Sequence, residues 1–262
     1  MFSLSPMNAN QQPNTKLVFL HGWGQSEQVW YQQTDYFAEQ SLTINLPGHG
    51  SRAEAPADQW IEQIVAELKG IKLENIILVG WSLGGQLAIA VEKELRDKKR
   101  IFGLVLVSTT PCFRQKPDWD FGCSDDVWSA FQSSAETQDP KLMQRFFKTM
   151  LHGDILSRSE RNSIAKDAVN RHHPPSTKSL KAGLELLSNV DSRQNIQKIS
   201  IPTLVVHGQQ DAIVPVQAGQ FLADNINTSQ LHILQDCGHA PFLTHHAAFN
   251  DLLEQWWKNI SM

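Results

Sequence analysis

Apolar residues in this chain fall in short unbroken runs separated by stretches of helical spacing. Leu17-Val18-Phe19-Leu20 is the first run and ends at His21-Gly22. Leu42-Thr43-Ile44-Asn45-Leu46 is the second, stopped by Pro47-Gly48. Ile76-Ile77-Leu78-Val79 is the third, stopped at Gly80, and Leu104-Val105-Leu106-Val107 is the fourth. Residues 58–69 and 83–97 carry apolar positions at helical spacing. Strands that are apolar at nearly every position are buried on both faces. With helices between them they predict a mostly parallel sheet covered on both sides. From about Pro111 to Leu187 the rhythm changes to helical patterning with no strong strand. It returns with Thr203-Leu204-Val205-Val206, a helix near 216–224, a strand near 230–234 and a final helix near 246–258. The order predicts an α/β core made of residues 1–110 and 188–262, interrupted by a helical cap at 111–187. Such a cap would sit over the C-terminal strand ends, where open α/β sheets bind ligands.

Composition adds limits. The chain has 262 residues, 41% of them hydrophobic, enough for a sizeable core, and it has no low-complexity run. A net charge of −4 does not suggest a nucleic-acid binder. Cys112, Cys123 and Cys237 form no CxxC pair, so neither a disulfide framework nor a metal site is expected, and they read as buried or half-buried thiols. The first residues have no positive charge before Lys16 and no long apolar run, which is neither a secretory nor a transit signal. Nothing is predicted to span a membrane, and a cytoplasmic monomer is the expectation. The charge is uneven, however. Lys141 to Lys181 holds nine Lys/Arg and three Asp/Glu, a net of +6, which leaves −10 for the remainder. Solvated helix faces would explain this plainly. A basic cap surface near a site mouth would instead steer an acidic macromolecule or a phosphate-bearing substrate.

The chemistry is carried by Gly80-Trp81-Ser82-Leu83-Gly84, a G-x-S-x-G sequence between a buried strand and a helix. A strand turning sharply into a helix lifts Ser82 clear of the sheet and needs small flanking residues. It leaves the Leu83 N–H free at a helix N-terminus, able to bind an oxyanion. A serine hydroxyl is a weak nucleophile until a base takes its proton. In this arrangement acid and histidine follow the serine in the chain. His239, in Asp236-Cys237-Gly238-His239-Ala240-Pro241-Phe242 after the last strand, is the candidate base. His21, His49, His172, His173, His207, His245 and His246 are weaker candidates. Asp211, just past Val205-Val206-His207-Gly208, is the candidate acid, with Asp191 and Asp236 as runners-up better suited to turns or helix caps. Trp23, in His21-Gly22-Trp23-Gly24 after the first strand, is the candidate for the second oxyanion N–H, and its indole would wall an acyl pocket. The order of serine, acid and histidine on this sheet resembles the α/β-hydrolase fold, and no cofactor and no metal are expected.

With these residues assigned, the chain resembles the pimeloyl-[acyl-carrier protein] methyl ester esterases of biotin synthesis. The likeness rests on LHGWG at 20–24, LPGHG at 46–50, GWSLGG at 80–85, TPCF at 110–113, RFF at 145–147, GLELL at 183–187 with VD at 190–191, and GHAPFLTH at 238–245. It implies hydrolysis of a methyl ester on a pimeloyl chain borne by acyl-carrier protein, with release of methanol. It implies a substrate site lined by Trp23, Ser82, Leu83, His239 and the cap segment Phe146, Phe147, Lys148, Thr149 and Met150. It also implies that cap cations grip the acidic carrier. Arg145 and Arg158 match two such positions, Lys141 stands at a third, and Asn162 stands at a fourth with Arg161 beside it. A broad short-acyl esterase, a carbon–carbon bond hydrolase or a receptor-like ligand binder of the same fold remain alternatives. A haloalkane-type mechanism is disfavoured because its nucleophile is an aspartate.

Overall fold

The computed structural model describes residues 15–71, 75–98, 100–137, 139 and 141–261. The expectation drawn from the N-terminus therefore lies largely outside the described residues. Six strands form one sheet in the order β2-β1-β3-β4-β5-β6: β1 Thr15–Leu20, β2 Ser41–Ile44, β3 Asn75–Trp81, β4 Ile101–Val107, β5 Thr203–Gly208 and β6 Ser229–Leu234. Every pairing between them is parallel.

The unbroken apolar runs follow from burial on both faces. Val18, Leu20, Leu78, Leu104, Leu106 and Val205 enter one core. Their neighbours Leu17, Phe19, Ile77, Val79, Val105, Val107 and Val206 enter a second core on the opposite face. The first core is closed by α2 (Trp60–Gly70), α3 (Leu83–Leu95) and α8 (Val216–Asn225), through Trp60, Ile64, Leu87, Val91 and Leu222. The second is closed by α1 (Tyr31–Phe37) and α9 (His246–Ile260), through Phe37, Phe249, Leu253 and Trp257.

Among the described residues, the segment between β4 and β5 holds four α-helices: α4 (Asp125–Glu136), α5 (Leu142–Met150), α6 (Arg158–Ala168) and α7 (Thr177–Asn189). α6 starts on a capping box, with Ser157 Oγ accepting from the Glu160 amide at 3.2 Å and Glu160 Oε2 accepting from the Ser157 amide at 2.7 Å. The two ends of this segment meet, because the Ser192 amide donates to Pro111 O at 2.8 Å. No described helix is long and apolar enough to cross a membrane.

Strand order reverses between β1 and β3, so the loops following those strands face each other across the crevice at the C-terminal sheet edge. One of these loops carries Trp23 and the other Ser82.

Candidate active site

Ser82 links β3 to α3 with φ 55° and ψ −121°. A non-glycine residue at positive φ persists only where its surroundings fix it. Here they do. The Ser82 amide donates to Val107 O at 3.0 Å, and its carbonyl accepts from the Gly85 amide at 2.9 Å and from Thr109 Oγ1 at 2.7 Å. A Cβ on Gly80 would lie 2.4 Å from Gly84 O, and one on Gly84 would lie 2.5 Å from both Leu20 O and His21 O. The turn is thus pressed against itself and against the loop after β1. The Trp23 and Leu83 amides donate to no other described residue. Leu83 opens α3, where unsatisfied amides and the helix dipole favour a negative charge.

Asp211 follows β5, and its side chain is wholly buried. Oδ1 accepts from the amides of Ile213 at 2.8 Å and Val214 at 3.0 Å. Oδ2 lies 2.7 Å from His239 Nδ1 and 3.3 Å from His207 Nε2. Burial alone would raise the Asp211 pKa. The pull of His239 and the hydrogen bonds from His207 and His239 outweigh it and hold the carboxyl well below the usual carboxylate range. His239 is held by its backbone as well, since its amide donates to Met150 O at 2.9 Å and its carbonyl accepts from Trp81 Nε1 at 2.8 Å. Its Nε2 is buried with no hydrogen-bond partner among the described residues. An imidazole fixed at Nδ1 and free at Nε2 can take a proton from a neighbouring hydroxyl.

His207, read from sequence as a strand-end residue, lies beside Asp211. Its Nε2 also lies 3.0 Å from Val214 O, on the loop that Asp211 itself folds. The signal available in the sequence was the four-residue spacing from His207 to Asp211. Asp191 is engaged elsewhere, with Lys116 and Arg193 each at 2.8 Å. Asp236 is exposed in a turn with φ 52°. His21 supports the loop after β2, accepting from the Leu46 amide at 3.0 Å.

The loop bearing His239 touches β5 at one glycine. A Cβ on Gly208 would lie 2.0 Å from Gly238 O and 2.4 Å from Cys237 O. Gly208→Ala is therefore expected to destabilise the fold by about 1–3 kcal/mol through overpacking. It should also cut ester turnover by roughly 10²-fold, the cost of moving a reacting group by about 1 Å. Thermal melts and kcat on one soluble ester check this. Unchanged turnover would mean the loop can shift without disturbing His239.

The segment Phe146 to Met150 divides. Phe146 packs edge-on against Trp23, with ring centroids 5.1 Å apart, and Trp23 also meets Phe131 at 4.7 Å. The Trp23 indole donates to Leu180 O at 2.9 Å. Phe147 is half-buried, while Lys148 and Thr149 are exposed. Met150 departs from the lining expectation: it is fully buried in the second core, and its carbonyl anchors His239.

Among the cations, Lys141, Arg145 and Arg158 are exposed, and Arg145 pairs with Asp139 at 2.6 Å. Arg161 departs from the docking expectation. Its guanidinium donates to Leu151 O at 2.9 Å and Asp154 O at 2.8 Å, so it braces the segment after α5 and presents no free cation.

Several cavities flank α5. One, of about 350 Å³, is lined by Phe113, Phe131, Phe146 and Ile213, with Arg145 at its edge. Another, of about 370 Å³, is lined by Gly24, Met143, Phe147, Val169 and Arg171. A roomier polar cavity of about 600 Å³ lies between Trp119, Asp191, Arg193 and Phe221, and none of these three cavities is lined by Ser82, Asp211 or His239 themselves. The strained turn at Ser82 and the His239–Asp211 pair, not cavity size, locate the site.

Residues 17–252 match the family model described as the alpha/beta hydrolase family. A pimeloyl-[acyl-carrier protein] methyl ester esterase of Nitrosomonas europaea is 32% identical over 235 residues, 87% of this chain and 90% of that one. The protein of the same name from Aromatoleum aromaticum is 32% identical over 238 residues, 87% of this chain and 92% of that one. Among solved structures, an esterase from Exiguobacterium antarcticum superposes with a TM-score of 0.83 over 95% of this chain and 93% of that one, at 21% identity, a likeness of fold alone.

Proposed function

The chain belongs to the alpha/beta hydrolase family and, within it, to the pimeloyl-[acyl-carrier protein] methyl ester esterases, and we propose that it hydrolyses the methyl ester of pimeloyl-[acyl-carrier protein] in biotin synthesis. The observation that carries the chemistry is the 2.7 Å contact between His239 Nδ1 and Asp211, which leaves Nε2 unpartnered.

Ser82 Oγ attacks the ester carbonyl as His239 Nε2 takes its proton. The Trp23 and Leu83 amides receive the oxyanion of the tetrahedral intermediate. Collapse breaks the bond to the methoxy oxygen, which leaves as methanol with the proton held by His239. A water then gives its proton to His239 and attacks the acyl-enzyme, and a second collapse returns Ser82 and releases the free carboxylic acid on its carrier. Asp211 orients the imidazole and stabilises its charged form. His207 is a positioning residue that acts through Asp211.

Residues 111–187 act as a cap. The cavity between α4 and α5 suits an acyl chain by its phenylalanines, and it ends near Asp211 at Ala212 and Ile213. The carrier would dock outside, on Lys141, Arg145 and Arg158, in the cytoplasm, with the enzyme a monomer. The decisive test is complementation of a biotin auxotroph lacking this step. Growth is expected. Turnover of simple esters without growth would favour the broad short-acyl esterase.

Reversing charge at Arg145 and Arg158 together should raise KM for the carrier-bound ester about tenfold at low salt and barely change turnover of a small free ester. Exposed pairs are worth only about 0.2–1 kcal/mol each, so two reversals are needed for a clear effect. It should shrink as salt rises. Kinetics with both substrates at two ionic strengths decide it. Equal losses on both substrates would assign the arginines to cap structure instead.

A further inference from the structure

Beneath the loop that carries His239 lies a second cluster which the ester chemistry does not use. Cys237 and His245 flank His239 in the chain, and Asp154 reaches them from the segment after α5. The ligand-type atoms of these three side chains all lie within 4.8 Å of one another. His245 Nδ1 is 3.7 Å from Asp154 Oδ1. Cys237 is fully buried, the Asp154 side chain is fully buried, and His245 is partly open to solvent.

Asp154 is the unusual member. Among the described residues neither of its buried carboxylate oxygens accepts a hydrogen bond, and the charged group that approaches it is His245 at 3.7 Å. Burial raises its pKa, and the Thr244 hydroxyl and Gly238 amide, near enough to favour the charged form, only partly offset this. A buried carboxylate short of hydrogen bonds is costly whether charged or neutral, unless something in the site satisfies it. The nearby guanidinium of Arg161 does not supply that, because it is spent on carbonyls.

We propose that Asp154, Cys237 and His245 form a binding site for one divalent transition-metal ion of the zinc class, which ties the loop bearing His239 to the segment after α5. Thiolate, imidazole and carboxylate together are a zinc-type donor set. Ligand atoms around a tetrahedral zinc ion stand about 3.3–3.6 Å apart. The 3.7 Å between His245 and Asp154 is within a few tenths of an ångström of that, and the widest pair need close by only about 1 Å. Thr244 Oγ1, which donates to Ala240 O at 3.3 Å and lies 3.0 Å from His245 Nδ1 and 3.8 Å from Cys237 Sγ, offers its lone pairs to a water at the fourth position. Binding is balanced by proton release. The Cys237 thiol, which burial keeps protonated, gives up its proton as the sulfur–metal bond forms, so affinity rises with pH. Because the ion would join two elements of the folded state, it should stabilise that state by mass action.

The test titrates the full chain with zinc chloride in a calorimeter and with cobalt(II) in an absorption cell, and needs no assay of turnover. One equivalent of zinc is expected to bind, the cobalt complex to show a thiolate charge-transfer band, and the melting temperature to rise by about 5 °C with zinc at about 100 times its dissociation constant. His245→Gln, at a partly exposed position, and Cys237→Ser should each weaken zinc binding by about 100-fold or more. If Cys237→Ser fails to fold, the cobalt band of the wild type and the His245→Gln titration still decide. No binding, a cobalt spectrum without the thiolate band, or unchanged affinity in His245→Gln would each overturn the site.

Discussion

Ser82→Ala is expected to lower kcat for ester hydrolysis by about 10⁴-fold or more, with the fold intact. At about 1.4 kcal/mol per tenfold, that corresponds to at least roughly 5 kcal/mol of transition-state stabilisation. The fold should survive because the elbow is not held by the serine hydroxyl. It is held by main-chain contacts to Val107 and Gly85, by Thr109, and by the close approach of Gly80 and Gly84 to their neighbours. Removing Oγ leaves all of these in place. What disappears is the atom that forms the acyl-enzyme, and the amides of Trp23 and Leu83 then have no tetrahedral adduct of the enzyme to stabilise. A burst of acyl-enzyme in the wild type and none in the variant, read by quenched-flow with a p-nitrophenyl ester, separates this from a folding defect. Near-wild-type turnover by Ser82→Ala would remove Ser82 from the chemistry.

The parts of this molecule that sequence made legible are those in which a residue's own chemistry is its role. A strand buried on both faces must be apolar throughout, so β1, β3, β4 and β5 stood out as unbroken runs. A tight strand-to-helix turn needs glycines, so the elbow stood out too. α1 did not, because YQQTDYF carries no apolar stripe. It is held by Gln33, whose buried amide donates to Phe242 O and Asn250 Oδ1 at 2.9 Å each, a polar contact across distant chain segments. Arg161 was legible as a charge and not as a brace, because its partners are backbone carbonyls that any residue could supply. Met150 was legible as lining only by resemblance, and its real work is done by a carbonyl. His207 was hidden because a histidine at a strand end resembles any buried polar residue until Asp211 folds back beside it. In each case the missing information was a partner, not a residue type.

Asp211→Asn is expected to slow turnover by roughly 10⁴-fold while the chain still folds. The geometry gives the reason atom by atom. Oδ1 is filled by two amide donors, from Ile213 and Val214, so an asparagine must keep its carbonyl oxygen there. Its NH₂ then takes the place of Oδ2, 2.7 Å from His239 Nδ1 and 3.3 Å from His207 Nε2. A donor now faces His239 Nδ1, so that nitrogen must accept, and the ring proton moves to Nε2. In that tautomer Nε2 cannot take the proton of Ser82. The NH₂ also points toward His207, whose Nε2–H was a donor to this place. The carboxylate's own titration supplies a second readout. Its folded pKa lies below the unfolded value of about 3.9, so Asp211 stabilises the fold at neutral pH and above that value, and this contribution is lost only as pH falls through the folded pKa. The variant should therefore lose stability at neutral pH and unfold less steeply in acid. Turnover and acid melts of Asp211→Asn and Asp191→Asn, measured side by side, decide between the two carboxylates. If Asp191→Asn were the crippling change and Asp211→Asn turned over normally, the orienting carboxylate would be Asp191, despite its engagement with Lys116 and Arg193.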